Sequence, residues 1–278
     1  MAHPPTLADL RREIDRIDEG MHGLLMERGD IIDTLIATKK TAESGSAFRP
    51  AREADMMKRL VERHRGLLPL DTVESIWRVI IATFTYVQAP FSVHADLSAG
   101  DAAMRDSARF HFGFTVPFVT HTGAGGVVTA VSVSRGDIGL VSARGGSTAW
   151  WTALEDDEAP KIIARLPFVE RADHPAGLPV FGIARPNPDA LVTDVENWSV
   201  RVSGWGPAVS RSLDSSAEVI AVPEGTFDGA ALLVSAAGAE NLDKIKSALV
   251  EAGASLRSSA LVGSHARRYT VTPNGAAR

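Results

Sequence analysis

Apolar residues recur at helical spacing through the first ninety positions and fall into three runs. The first run covers residues 7–41 and contains no proline, although three glycines weaken it. Pro50 opens the second run, residues 51–65, at the position in a helix where proline is favoured. The third run covers residues 71–88, with Asp71 as its N-cap and Pro90 after its end. The pattern predicts three helices with short connections.

The first predicted helix is too long for a small globule. Thr6 is followed three residues later by Asp9, a variant of the capping box, so the start of the helix is well marked. At 1.5 Å per residue, the run to position 41 would be about 50 Å long. Its far end needs a packing partner outside its own fold, most simply a second copy of the chain.

Beyond residue 90 the pattern changes to short β-like runs that alternate with helix candidates. The predicted strands are 126–133, 138–141, 180–184, 198–202, 218–222 and 230–235, and the predicted helices are 99–109, 206–212 and 241–252. Strands alternating with helices are typical of a layered α/β or α+β domain. We therefore predict a multi-domain chain, with an all-α domain at residues 1–91 and an α/β or α+β domain at residues 92–278.

Composition narrows the possible functions. The 278 residues are 45% hydrophobic and 23% charged, which is typical of a soluble globular protein. A net charge of -5 without a long basic run argues against nucleic acid or an anionic membrane surface as a partner. The absence of cysteine excludes disulfides and thiolate chemistry and suits the cytoplasm. No apolar run approaches the roughly 20 residues of a membrane span.

Three basic residues lie among the apolar positions of the first predicted helix. Arg28 and Lys39 are eleven residues apart, so they face within about 20° of each other and lie about 16 Å apart along the axis. Arg11 is about 25 Å from Arg28 and about 100° round the helix. A charged stripe is usually solvated surface. One small ligand could contact all three side chains only if Arg11 came from a second, antiparallel copy.

Further polar residues begin and end the shorter helices. Arg52 and Glu53 open the second helix and Gln88 closes the third, so both helices could bring side chains to the Arg28–Lys39 stripe. The whole pattern resembles the all-helical class of chorismate mutase over about residues 7–90. The segments that carry the resemblance are Leu10–Asp18, Leu24–Arg28, Lys39, Arg49–Glu53, Ile80-Ile81 and Gln88.

This resemblance implies an intertwined helical homodimer with two equivalent sites for chorismate. Arg11 of one subunit would bind a substrate carboxylate in the site of the other, and Arg28 would bind the second carboxylate. Lys39 and Gln88 would donate to the ether oxygen of the breaking C–O bond. Glu53 would accept from the ring hydroxyl, and Arg52 would support the polar cluster.

The implied reaction, the Claisen rearrangement of chorismate to prephenate, explains these residue types. A concerted pericyclic shift needs no nucleophile, base, metal or cofactor, only a chair-like conformer held in place. Preorganised donors must also stabilise the negative charge that develops on the ether oxygen. Arginine suits bidentate capture of carboxylates, whereas lysine supplies a compact charge at one oxygen.

Two positions depart from a common form of the family. Arg49 stands where some members have an acid, and Phe84 where some have a small serine. Both could reshape the pocket, so a mutase domain without catalytic activity remains an alternative. In that alternative the helices only dimerise and the chain is a ligand-binding regulatory protein.

The second half carries weaker signals. Residues 127–141 are similar to a segment of prephenate dehydratase, but the Thr-Arg-Phe motif of that family is not found, so no dehydratase activity is assigned. The glycines of residues 122–126 precede a predicted strand, which is the wrong context for a dinucleotide site. The eight histidines include no pair at metal-ligand spacing. Residues 241–255 suggest a small regulatory βαβ module for an amino-acid effector.

Overall fold

The computed structural model describes residues 4–39, 46–98, 100–186, 194–213, 217–225, 228–238 and 241–271. The chain divides into two compact units, residues 1–45 and residues 46–278. The predicted domain boundary at 91–92 is therefore not where the compact units separate. The polar run Glu43–Ser46 predicts a break after the first helix and residues 273–278 a frayed tail; residues 43–45 and 273–278 lie outside the described residues.

The described part of the first unit is a single helix, α1 (Leu7–Lys39), of 33 residues. The predicted cap is present: the Thr6 amide donates to Asp9 Oδ2 at 2.9 Å, and the Asp9 amide donates to Thr6 Oγ1 at 3.2 Å. These reciprocal bonds satisfy N–H groups that the first helical turn would otherwise leave unpaired. Neither α1 nor any other helix in the described ranges is long and apolar enough to cross a bilayer.

The second and third predicted helices belong to the second unit. They are α2 (Pro50–Arg63) and α3 (Leu70–Gln88), so the third helix begins one residue before the predicted cap, Asp71. Their apolar faces enter the same hydrophobic core as the neighbouring sheet. Met57, Leu60 and Ile81 belong to one buried cluster with residues of the strands that follow. This shared core explains why the compact units do not separate near residue 91.

The rest of the second unit is an α/β structure, as predicted. Its helices are α4 (Asp101–Phe112), α5 (Ala124–Val133), α6 (Pro207–Leu213) and α7 (Asn241–Glu251), with a 3-10 helix at Trp150–Leu154. Its strands are β1 (Val93–Asp96), β2 (Phe118–His121), β3 (Ile138–Ser142), β4 (Lys161–Leu166), β5 (Val169–Glu170), β6 (Val180–Ala184), β7 (Val195–Ser203), β8 (Glu218–Glu224), β9 (Gly229–Ala237), β10 (Ser255–His265) and β11 (Tyr269–Thr270).

Nine strands form one sheet in the order β2-β1-β3-β6-β4-β10-β7-β9-β8. The last six elements of this sheet region follow the order β7-α6-β8-β9-α7-β10, which is the ferredoxin-like βαββαβ arrangement. The two halves of the sheet meet where Gly263 of β10 pairs with Ile162 of β4. A side chain at Gly263, whose φ is +143°, would overlap the backbone of Ile162, so the seam requires glycine.

One strand prediction is wrong. Residues 126–133 lie in helix α5 and not in a strand, because Val127, Val128 and Val131 fall on one helical face and pack in a buried cluster. Burial overrides the β preference of valine. The glycines of residues 122–126 therefore lie at the N-cap and in the first turn of a helix that follows strand β2, so the context used to reject a dinucleotide site there was also wrong.

Candidate functional site

Three of the six predicted site residues lie on the unbroken helix α1. Arg11 is exposed, Arg28 is partly buried, and Lys39 is the last residue of the helix, with a side chain outside the described part. Because α1 is unbroken between them, Arg11 and Arg28 are about 25 Å apart along its axis. One copy of α1 cannot bring Arg11 and Arg28 to the same small ligand.

The apolar face of α1 is exposed in the single chain. Large side chains along its length have between 38% and 67% of their surface accessible; they are Leu7, Leu10, Ile14, Ile17, Met21, Leu24, Leu25, Met26 and Ile31. An exposed apolar stripe of this length typically marks an interaction surface. The apolar face that the spacing predicted on this helix is therefore exposed in the single chain.

The other three predicted site residues lie in the second unit. Arg52 is exposed, whereas Glu53 in the next position is only 4% exposed. Gln88 is partly buried, and its Nε2 donates to the carbonyl oxygen of Phe84 at 2.9 Å. The structure thus leaves the Arg52 side chain in solvent and buries the Glu53 side chain in the core.

Glu53 is held by an arginine that the sequence analysis missed. Arg78 Nη1 donates to Glu53 Oε2 at 2.6 Å, and Arg78 Nη2 donates to the carbonyl oxygen of His111 at 3.0 Å. The guanidinium also lies 5.1 Å from the centre of the Phe168 ring. Arg78 is fully buried, so one cation ties α2, α3 and α4 together. Its signal in the sequence was a charged residue three positions before Ile81 and four before Ala82, on the buried face of the helix.

A second buried ion pair lies one turn earlier on α3. Glu74 accepts from His174 Nε2 at 3.3 Å, and Arg171 Nη2 lies 3.9 Å from its other carboxylate oxygen. The His174 ring stacks at 6.2 Å from that of His111. The Glu74 contacts, like the Arg78 bond to the His111 carbonyl, join α3 to the α/β part of the unit through desolvated groups, where losing one partner is costly.

Burial shifts the titration of this cluster. Desolvation raises the pKa of Glu53, and the nearby Arg78 charge opposes that rise. Burial lowers the pKa of His111 well below its usual range, with further lowering by the charges of Arg78 and His174. His111 is therefore neutral at pH 7, and the charge of Arg78 is balanced by the carboxylate of Glu53.

The two positions that depart from the family have local roles. Arg49 precedes α2, and its Nη1 donates to the carbonyl oxygens of Ser46 and Phe48 at 2.9 and 3.1 Å. Phe84 is partly buried on α3. One guanidinium nitrogen of Arg49 thus binds the backbone of the loop before α2.

Among the described residues, no cluster of three or more acidic, histidine or cysteine side chains could hold a metal ion.

Comparison with known proteins identifies the helical part. Residues 10–89 match the family model of chorismate mutase type II. The six predicted site residues all fall within that segment, and the resemblance predicted for the first third of the chain is confirmed. The match covers less than a third of the chain.

The curated relatives that match this chain are named for two activities. The bifunctional chorismate mutase/prephenate dehydratase of Stutzerimonas stutzeri is 28% identical over 120 residues, which are 42% of this chain and 33% of the relative. The bifunctional enzyme of the same name from Aquifex aeolicus is 28% identical over 139 residues, 49% of this chain and 38% of the relative. The chain thus spans between 33% and 38% of the length of these relatives.

One distant structural likeness concerns the second half. The solved prephenate dehydratase from Streptococcus mutans is 10% identical, covers 65% of this chain and 99% of its own, and has a TM-score of 0.39.

Proposed function

We propose that the protein is a homodimeric chorismate mutase of aromatic amino-acid biosynthesis, acting in the cytoplasm without metal or cofactor. The observation that carries the proposal is the family match at residues 10–89, which contains every residue to which a role was assigned. In this proposal Arg28, Lys39, Arg52, Glu53 and Gln88 come from one subunit and Arg11 comes from the other. Together they bind chorismate, a dianion.

The exposed face of α1 supports the dimer. Burying an apolar side chain such as Ile14 contributes about 1.5–3 kcal/mol, and several such residues lie uncovered on this helix. A second, antiparallel α1 would cover them and would also bring the partner's copy of position 11 towards the far end of the helix. The same pairing would therefore stabilise the protein and complete the site.

Glu53 remains able to act on substrate in this proposal. A carboxylate accepts several hydrogen bonds, so its bond from Arg78 leaves capacity for the ring hydroxyl of chorismate. Burial of the pair would fix the carboxylate in position, in keeping with a reaction whose catalysis consists of orientation and charge stabilisation.

Replacement of Lys39 tests the catalytic role directly. Lys39→Ala should raise the barrier by about 3–4 kcal/mol, by analogy with loss of an oxyanion donor, and so lower kcat by about 10²–10³-fold. Turnover of chorismate and urea denaturation would be measured on the same preparations. Lys40→Ala is the matched control and should retain activity. Equal activity of both variants would contradict the proposed role of Lys39.

Mixing two inactive variants tests whether the site is shared. An Arg11→Ala dimer and a Lys39→Ala dimer should both be inactive. A mixed dimer would contain one site with both substitutions and one site with neither, so each mixed dimer formed by mixing and reassociation should have one active site, which is half the activity of a wild-type dimer. Arg12→Ala, at an arginine paired with Asp9, is the control and should be active by itself. Failure of the mixture to regain activity would show that Arg11 acts within its own subunit.

The alternative function is a non-catalytic regulator in which the helical part only dimerises. The βαββαβ arrangement at the end of the chain is the place where an amino-acid effector would bind in either function. If the purified protein fails to consume chorismate but binds phenylalanine, tyrosine or prephenate in calorimetry, the regulator is favoured over the enzyme.

A further inference from the structure

A cavity of about 320 Å³ lies in the second unit between the ferredoxin-like strands and the rest of the sheet. Its charged and titratable lining residues are Arg165, Glu170, Glu218, His265, Arg267 and Arg268. None of these residues belongs to the proposed mutase site. The cavity is large enough for a small organic molecule.

Arg165 lines this cavity and carries a buried donor without a partner among the described residues. It lies on β4 and is 3% exposed, and its Nη2 forms an ion pair with Glu218. Its guanidinium lies 4.6 Å from the centre of the Phe181 ring. Nη1 is buried and has no hydrogen-bond partner among the described residues. Since an unpaired buried donor on a charged group is costly, an acceptor from outside the chain would relieve that cost.

His265 lines the same cavity and carries a buried acceptor. Its Nδ1 lies 2.9 Å from the carbonyl oxygen of Ala266, which can only accept, so Nδ1 carries the proton. Nε2 therefore presents a lone pair, and this atom is also buried without a partner among the described residues. Burial, with the charges of Arg165 and Arg268, lowers the pKa of His265 to about 4, which keeps the ring neutral at pH 7.

The charges of the lining favour a single negative charge on the ligand. Three guanidinium groups face two carboxylates, and both carboxylates are already paired: Glu218 with Arg165, and Glu170 with Arg268 at 2.9 Å. With His265 neutral, the lining has one excess positive charge. No lining carboxylate is left over to bind an ammonium group. Asp194, which accepts from the amide of Arg267 at 3.2 Å, lines the adjoining cavity.

We propose that this cavity binds a small organic monocarboxylate that carries a hydroxyl group. The carboxylate accepts from Arg165 Nη1, and the hydroxyl donates to His265 Nε2. The remaining wall includes Val195, Ala217 and Ala237, which suit an apolar body on the ligand. The site is separate from the residues proposed for chorismate, so its occupation does not depend on mutase activity.

Three probes of similar size separate the two polar contacts. The full chain is titrated in a calorimeter with mandelate, with phenylacetate, which lacks the hydroxyl, and with 1-phenyl-1,2-ethanediol, which lacks the carboxylate. Mandelate should bind best, phenylacetate about 5- to 10-fold more weakly, and the diol at least about 10-fold more weakly than mandelate, because each loses one bond to a buried polar atom. Absence of mandelate binding at millimolar concentration, or equal binding of inorganic sulfate, would overturn the proposal.

Variants assign the contacts to residues. Arg165→Met should weaken mandelate binding by about 10- to 100-fold, since it removes a charged donor. His265→Asn retains a donor near the Nδ1 position but removes the Nε2 acceptor, so mandelate and phenylacetate should then bind equally. Arg201→Met is the matched control, because Arg201 on β7 also pairs with two glutamates but lies outside the cavity lining. If Arg165→Met does not fold, the His265→Asn comparison decides: an unchanged preference for mandelate would overturn the proposal.

Discussion

Helices α1, α2 and α3 all lie in the segment that matches one family model, but only α2 and α3 bury their apolar faces within the single chain. On α1, Ile14 is 56% exposed, whereas on α2 Met57 is fully buried in the core beside the sheet. Both helices are amphipathic in sequence. The difference shows that the helical pattern fixes which face of a helix is apolar but not what covers that face.

The same contrast holds for charged residues. The ion pairs of α1, such as Arg16 with Glu13, are exposed and contribute little to stability. The pair of Arg78 with Glu53 is buried, and its two charges depend on each other. Substitutions in α1 should therefore affect association, and substitutions in α3 should affect folding of the single chain.

The largest expected effect comes from a charge placed on the exposed apolar face of α1. Ile14→Asp should destabilise the proposed dimer by about 3–6 kcal/mol, because two copies of the side chain lose their burial. Sedimentation equilibrium should then show a monomer at micromolar concentration, with the near-UV circular dichroism of the second unit retained. Ile14→Leu is the control and should remain dimeric. A monomeric wild-type chain would refute the antiparallel pairing.

The next effect concerns the buried pair of the second unit. Arg78→Met should lower the free energy of unfolding by about 3–5 kcal/mol, because it leaves the Glu53 carboxylate buried without its cation. Urea denaturation measures this loss. Combining Arg78→Met with Glu53→Leu should recover most of it, since both polar partners are then replaced by apolar groups. A double variant as unstable as Arg78→Met alone would show that the charge imbalance is not the cause.

A smaller effect should appear in acid. A histidine whose pKa falls from about 6.5 unfolded to about 4 folded gives its full stabilisation above pH 6.5 and loses it as the pH falls towards 4. For His265 the loss over this window is on the order of 3 kcal/mol. The difference in unfolding free energy between pH 7 and pH 4.5 should therefore be smaller in His265→Asn than in the wild type. Other buried histidines, including His111, are unchanged in the comparison. An identical difference in both proteins would contradict the assignment.

Much of the fold was predictable because local patterns decided it. Thr6 and Asp9 mark the start of α1, Pro50 is the first residue of α2, and the helices near 99–109, 206–212 and 241–252 were placed correctly. The strand predicted at 126–133 failed because a run of valines fits either a strand or a buried helix. The helix is the structure adopted because it packs one face of the valine run into the core.

The candidate site was predictable only in part. The positions of Arg11, Arg28 and Lys39 on one helix followed from spacing, and the family match covers all six residues. The pairing of Glu53 with Arg78 did not follow, because the residues are 25 positions apart and meet only when α2 packs on α3. The sheet order and the cavity beside Arg165 likewise depend on contacts between distant segments.

By itself, the sequence determined the helices, their apolar faces, the α/β character of the second half and the family of the first third. Those properties depend on neighbours within a few positions of each other or on a recognisable set of residues in order. Only the tertiary structure decided which charges are buried, which partner each one has, and where the compact units divide. Burial and long-range pairing depend on how the elements pack together, and the spacing of apolar residues within one element does not specify that packing.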